Sequence, residues 1–571
     1  MKTQITNHAT DRNSLTCHKK NALWSTLALA ALFSMVSHAG AQTTSPSSPG
    51  PDTVLYSACW AAPTGGNGCP SPQYRSGATG SAYNSNLTGA PWAGGTLGKI
   101  TPRSVESFIQ KYMIPSPGSA GCGNGAGTSN PTSSPSIESR IVFPAMDASG
   151  NCDLFYYDVT NPTAPQFMPF ITTSAVTSSP GYDGDGEVVI AAEDGNVYSY
   201  YWASNNLAWT ALSTTGNPID SSPTTWPNLD GVYVIDNGYN TGGGVISKLD
   251  PGTGMPMWPP IYSSVYPGGV VPTSNPPTSA SASSVAVSSS LSMLFAAGSD
   301  GGYYGNGIVQ AYNSATGNQN PIWSNDNGSI LNAVTSSPVV SDSQGLVYVQ
   351  TSVSCGQYRN NGGWSGSLIY ALNETGTHGG AVNWYASPPS DPNGFCTNSH
   401  GQSPTLSGSH LPPTLIGANV YSSGGSPAYE DDTTYGGPYV IAAASVSYDT
   451  TGGCYGCGSA SQFLYSILAV YNAQSFSNGG GSLACSAQIS HPITNSSPEV
   501  VNGVIFIGTD DGYLLAYDET NCATLGILSE IFGSPFGPMD SAVLSPPVVS
   551  FNRAHVVTQK GTLYVWGLLN Y

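Results

Sequence analysis

Residues 387–402, SPPSDPNGFCTNSHGQ, bring Asp391, Cys396, Asn398 and His400 within ten positions of one another. A carboxyl in an apolar, partly desolvated loop keeps its proton to higher pH than a free one, which suits Asp391 to general-acid work. Arg359, in the insertion at 355–366, is a cation that can hold an anionic substrate, and Asn398 and His400 add polar contacts. Asp326 is the second acid expected, with Asp300 and Asp220 as competing carboxylates. The plain alternatives are that Asp391 only begins a turn before Pro392, that Asp326 bonds its own loop, and that Arg359 bridges loop carbonyls. Cys454 and Cys457 have metal or redox spacing, but no second pair stands at zinc spacing. His378, His410, His491 and His555 are scattered. The cysteines are read as disulfide material, and no metal is expected. No G-x-S-x-G elbow is set in a strand-to-helix turn.

A repeat must position these residues. Ser-Ser-Pro recurs at 178–180, 221–223, 336–338 and 496–498, with Ser403-Pro404 and Ser545-Pro546 as variants, and each copy precedes strand-like runs such as Gly345-Leu-Val-Tyr-Val-Gln350. Units that cannot bury their apolar face alone must stack. Hairpin chemistry, as in Glu193-Asp-Gly-Asn196, separates strands within a unit. Eight units are counted. The last has three strands, so residues 54–60 are expected to close the ring as its fourth. Residues 102–112 read as helix, from Ser104, Val105, Phe108 and Ile109. The expected class is an all-β, eight-bladed propeller over 139–571, preceded by a closing strand, loop and linker over 42–138.

In a four-stranded unit, the second-to-third loop and the connection to the next unit share one face. That face is expected to carry the insertions at 298–307, 355–366 and 447–462, together with 324–327 and 387–402. Residues 408–437, including Glu430-Asp431-Asp432, are placed on the opposite face. Functional groups favour loops on a rigid scaffold, so the first face is the candidate.

Residues 1–41 read as a signal peptide: Lys19-Lys20, an apolar core over 22–36, and Ala39-Gly40-Ala41 as the cleavage site. No membrane span is expected, and the mature chain is placed in the periplasm, outside the cell or at its surface, including peripherally at the outer membrane. Ten of the 11 cysteines follow the signal, an even number that favours disulfides in an oxidising compartment. Only 8% of residues are charged. Without Lys2, Arg12, Lys19, Lys20 and Asp11, the 13 basic and 32 acidic residues become nine and 31, a net of −22. There is no basic patch for nucleic acid. In strong acid the exposed carboxylates become neutral while the cations remain, and the molecule then favours anions. A secreted acidic protein working at neutral pH is the alternative.

Several units end in an acid or amide, then Thr-Gly, then Trp: Asp250…Thr253-Gly254…Trp258, Asn313…Thr316-Gly317…Trp323, and Asn373…Thr375-Gly376…Trp384. With the Ser-Ser-Pro strands, this resembles the quinoprotein-type repeat, whose Trp docks one blade on the next. Three classes share that repeat. Quinone-dependent dehydrogenases typically carry adjacent cysteines, which this chain lacks. Outer-membrane assembly scaffolds are usually lipidated. The exported, charge-poor composition is similar to the tetrathionate hydrolases of acidophilic sulfur oxidisers. That resemblance implies a homodimer without quinone or other cofactor. It also implies that tetrathionate is split in acid to thiosulfate, sulfur and sulfate, with an aspartate as acid.

Overall fold

Each serine of the Ser-Ser-Pro run closes a different contact. The first clips the second strand of its own sheet. Ser178 Oγ donates to Ala191 O at 2.7 Å and accepts from Ala191 N at 3.1 Å, and Ser221 does the same with Ile235. The second serine reaches the neighbouring sheet. Ser179 N donates to Ser222 Oγ, Ser222 N to Ser284 Oγ, and Ser284 N to Ser337 Oγ, each at 2.9 Å. Ser337 N donates to Ser426 Oγ, and Ser426 N to Ser497 Oγ, each at 2.8 Å. All these serines are buried, so each bond satisfies a group that water cannot reach.

The computed structural model describes most of residues 108–568. Residues 1–101, 123–135, 268–282, 389–417, 450–460 and 528–537 lie outside the described residues, as do shorter loop segments. The described strands form eight sheets of antiparallel neighbours. Sheet 1 begins at Ser136–Ile137 and ends at Gln166–Thr172. Sheet 2 holds Gly181–Tyr182, Glu187–Ala191, Asn196–Tyr201 and Leu207–Leu212. Sheet 3 has three strands, Val232–Ile235, Val245–Leu249 and Ile261–Tyr262, and its innermost strand is reduced to a Thr224–Tyr233 bridge. Sheet 4 runs from Ala286–Ser288 to Trp323–Asn325, and sheet 5 from Val339–Ser341 to Val382–Ala386. Sheet 6 is the largest, with seven strands, including Tyr439–Asp449, Ser461–Asn472 and Leu483–Ile489. Sheet 7 runs from Glu499–Val501 to Thr524–Ile527.

These seven sheets are drawn wholly from residues 136–527, and the remaining one is composite. Val548–Ser550, Arg553–Val557 and Leu563–Leu568 come from the C-terminus, and Phe108–Ile114 pairs antiparallel with Leu563–Leu568. The closing strand is therefore Phe108–Ile114, not residues 54–60, which lie outside the described residues. Helical spacing of Phe108 and Ile109 misled the reading. The free edge of Leu563–Leu568 needs a partner, and tertiary pairing overrides local periodicity. Among the described residues, helix is limited to short turns such as Phe476–Asn478. No helix among the described residues is long and apolar enough to cross a membrane.

The central strands are buried on both faces, as in Val188-Val189-Ile190, because each sheet lies between two neighbours. The tryptophans do the docking expected of them. Trp209 Nε1 donates to Pro251 O (2.6 Å), Trp323 to Glu374 O (2.8 Å) and Trp384 to Gln474 O (2.7 Å), each in the next sheet. A Cβ on Gly254 would stand 2.4 Å from the Trp209 ring, and one on Gly317 2.4 Å from Trp258, so the turn must be glycine. Two disulfides are described, Cys122–Cys152 and Cys485–Cys522. Cys454, Cys457 and Cys396 lie outside the described residues.

Replacing Ser337 by Ala removes the acceptor for Ser284 N and strands that N–H in the core. The expected loss is about 1–3 kcal/mol, read as a lower urea midpoint at unchanged slope.

Candidate functional site

The face that carries the second-to-third hairpins is tied down from below. Four of the hairpins donate a backbone N–H to the connection entering their own sheet: Glu193 to Ala175 O and Asn237 to Pro218 O at 3.0 Å, Asp510 to Pro492 O and Gln559 to Ala542 O at 2.8 Å. Threonine–aspartate bonds reinforce these ties. Thr494 donates its N and Oγ1 to Asp510, Thr215 Oγ1 bonds Asp236, and Thr558 and Thr562 bond Asp540. The rim is a rigid base on which loops can hold a substrate.

Asp220 differs from these clasped acids. It directly precedes Ser221, at the entrance of sheet 3, and is 5% exposed. Its Oδ2 takes a long 3.4 Å bond from Asn237 Nδ2, the Thr177 hydroxyl also acts on the carboxyl, and its Oδ1 is buried without a close hydrogen-bond partner. Burial first, opposed by the Asn237 bond and assisted by the nearby Asp236 charge, pushes its carboxyl up to about 6. Asp236 is also raised by burial, but both its oxygens are in use: Oδ1 accepts from Gly238 N (3.0 Å) and Val245 N (2.9 Å), and Oδ2 from Thr215. Asp220 can therefore keep a proton in mild acid on the loop-bearing face.

A second constellation stands in sheet 7. His491 Nδ1 lies 2.7 Å from Asp511 Oδ2, Asp511 Oδ1 accepts from Thr509 (2.6 Å), and the imidazole packs 4.4 Å from the Tyr513 ring. The sequence reading passed over it because His491 and Asp511 are 20 residues apart. The usable signal was that a connection and a Thr-Asp-Asp-Gly hairpin of one unit share a face.

Asp326 follows Trp323–Asn325 at once and is exposed, on the face expected for it. Asp391, Asn398 and His400 lie outside the described residues. Arg359 ends the strand Val353–Arg359, which leaves sheet 5 between its second and third strands and joins sheet 6 by pairing with Ala418–Ser422. The 355–366 insertion is thus a hairpin of the following sheet rather than a loop of its own. Ala418–Ser422 also corrects the placement of 408–437. It pairs with the far half of Tyr439–Asp449, beyond Ser445, whose hydroxyl bonds Ile493 O in the connection to sheet 7. That portion belongs to the loop-bearing face, while Ala428–Glu430 remains an inner strand.

Asp220 carries a sign for stability. Its folded pKa lies above the unfolded value of 3.8, so its contribution is full below about pH 4 and is lost as pH rises through about 6. Asp220→Asn should unfold at the parent's temperature near pH 4 and at a higher one near pH 8. A lower unfolding temperature at pH 8 would show that the fold requires the carboxylate.

No protein-family model matches the chain, and no curated protein matches it. Solved structures do. The quinohemoprotein alcohol dehydrogenase from Comamonas testosteroni superposes with a TM-score of 0.55 at 14% identity, over 91% of this chain and 84% of that one. A europium-containing methanol dehydrogenase gives 0.54 at 12%, over 88% and 98%. BamB from Moraxella catarrhalis gives 0.46 at 14%, over 81% and 99%. At such identities the likeness is one of architecture: the chain has the fold of the quinoprotein-type β-propellers.

Proposed function

We propose that this protein is an exported, acid-active hydrolase that splits tetrathionate to thiosulfate, sulfur and sulfate, with an aspartate as general acid. The observation that carries the reading is Asp220, a carboxyl buried on the loop-bearing face, which burial pushes up to about 6. A face that favours neutral carboxyls suits an anionic substrate and acid chemistry. The scarcity of charge supports the same reading. The reaction needs no outside oxidant: the oxygen of one water ends in sulfate, the carboxyl protonates the departing sulfur, and two protons are released. Asp391 is the first assignment for that acid and Asp326 the second, with Asp220 as the buried carboxyl on the face expected for them. Arg359, Asn398 and His400 are assigned to the sulfonate ends. The same reading takes the composite sheet as an eighth blade and the working form as a homodimer.

The fold likeness favours a quinone-dependent dehydrogenase as the second reading. Its quinone is held with calcium. Among the described residues no group of three His, Cys, Asp or Glu is placed to hold a metal ion. Asp236, next to Asp220, already uses both oxygens. No two cysteines are adjacent in the sequence. The described residues do not fit that group, and no step is derived through it.

Purified, quinone-free protein should turn over tetrathionate in acid, near pH 3, and lose activity toward pH 7. Removing the acid should cost about 10²–10⁴-fold in kcat, so one of Asp391→Asn, Asp326→Asn and Asp220→Asn should show that loss. Full activity in all three would overturn the aspartate's role. Dye reduction with an alcohol or sugar only after adding quinone and Ca²⁺ would favour the dehydrogenase, and inertness in both assays a non-catalytic scaffold.

A further inference from the structure

Two residues in a row orient one imidazole at the entrance of sheet 7. His491 stands in the connection from Leu483–Ile489 to Glu499–Val501, and Asp511 in the hairpin between Val504–Gly508 and Leu514–Asp518. Their neighbours are fixed. Ser466 Oγ donates to His491 O (2.6 Å), Asp510 N donates to Pro492 O (2.8 Å), and the two Asp510 oxygens accept from Thr494 N and Oγ1. Thr509 is fully buried, and its hydroxyl accepts Tyr513 N (2.8 Å) and donates to Asp511 Oδ1 (2.6 Å). Asp511 Oδ2 then faces His491 Nδ1 at 2.7 Å, with the Tyr513 ring against the imidazole.

An ionised carboxylate only accepts, so this short contact puts the hydrogen on Nδ1. The neutral imidazole then carries its free lone pair on Nε2, which has no hydrogen-bond partner among the described residues. Solvent can reach it, because the His491 side chain is 18% exposed. The tie between connection and hairpin is already made by Asp510 with Thr494 and Pro492, so the second, half-exposed pair is not needed for it. An imidazole held this way is suited to take a proton from water. We propose that His491 is the general base of a second site, positioned by Asp511 and Thr509, which activates water against small neutral esters. This activity goes beyond the tetrathionate reaction and does not rest on it.

The substrate class follows from the charges at this corner. Among the described residues, the titratable groups beside the imidazole are Asp510, Asp511 and Tyr513, none of them a cation that would hold an anion. Water gives a proton to Nε2 as its oxygen bonds the acyl carbon. The bond from that carbon to the alcohol oxygen then breaks, and the alcohol leaves with the proton from His491. Ester and water become acid and alcohol, and the imidazole returns to its neutral form. The step uses no oxidant or other reactant.

The probe is p-nitrophenyl acetate at pH 8, where a free imidazole is neutral. The purified protein should hydrolyse it above the buffer rate. His491→Ala should lose about 10²–10⁴-fold in kcat, and added imidazole should restore part of that loss. Asp511→Asn should lower kcat about 10–100-fold with little change in KM. Reactivity is also read without any variant, by labelling with diethyl pyrocarbonate and locating the label by mass spectrometry. His491 should label faster than His378, which is more exposed and has no carboxylate against its ring among the described residues. Hydrolysis no faster than buffer, full activity in His491→Ala, or slower labelling of His491 than of His378 would overturn the site. Neither readout uses tetrathionate, so failure of the acid reaction leaves this one standing.

Discussion

The ring depends on one bond made repeatedly: a buried backbone N–H of one sheet donating to a serine hydroxyl of the next. A sheet in this fold has neighbours on both faces and no water to complete its inner edge, so every inner N–H must find a partner around the ring. A serine meets that need with a short, rotatable hydroxyl that accepts from one side and donates to the other. Successive bonds of 2.8–2.9 Å from Ser179 through Ser222, Ser284, Ser337 and Ser426 to Ser497 show how little the geometry varies. The loops vary freely because this inner girdle does not.

Most copies of Ser-Ser-Pro, the turn glycines and the docking tryptophans were legible in sequence because each answers a local geometric demand; in sheet 6 the girdle serine is Ser426 rather than Ser403, which lies outside the described residues. Gly317 must be Gly because the Trp258 ring occupies the place of a side chain. The closing strand was not legible. Nothing local distinguishes Phe108–Ile114 from a helix, and its state is set by an edge more than 400 residues away in the chain. The sheet that Arg359 joins was not legible for a related reason. Its hairpin pairs with Ala418–Ser422, a contact that the strand count within one unit cannot anticipate. Of the candidate site, only which connections share a face was readable. Asp220 was visible only as one carboxylate among several, because what sets it apart is an unpartnered oxygen in a buried corner.

The sparse charge of the chain takes on a sharper meaning once burial is known. Several acids lie inside, and burial raises Asp153 and Asp220 to about 6 as well as Glu374 to about 7. Each resists ionising, so each favours the folded chain in acid over the folded chain at neutral pH. His555 pulls the other way. Fully buried and with its pKa pushed down to about 3, chiefly by desolvation, it favours the fold as long as it stays neutral and costs stability as pH falls below 6.5. The carboxyls outnumber it between about pH 4 and 6, and the histidine sets the acid limit below. These four groups together favour the fold in mild acid over neutral pH.

Sheet 6 shows how the ring tolerates its largest departures. It carries the added hairpin and two of the longest strands, Tyr439–Asp449 and Ser461–Asn472, so it meets its neighbours with the most surplus chain. Its contact with sheet 5 uses the common Trp384–Gln474 bond, together with Tyr471 OH to Ser387 O. Toward sheet 7 the tryptophan is missing. Cys485, on the outermost strand, is bonded instead to Cys522, which sits at φ +55 where the corresponding turns of other sheets have Gly254 at +68 and Gly317 at +61. A residue with a side chain accepts that backbone at some cost, and the covalent bond offsets it. A sheet burdened with insertions thus exchanges a packing contact for a covalent one, at the same turn that the repeat uses elsewhere for docking.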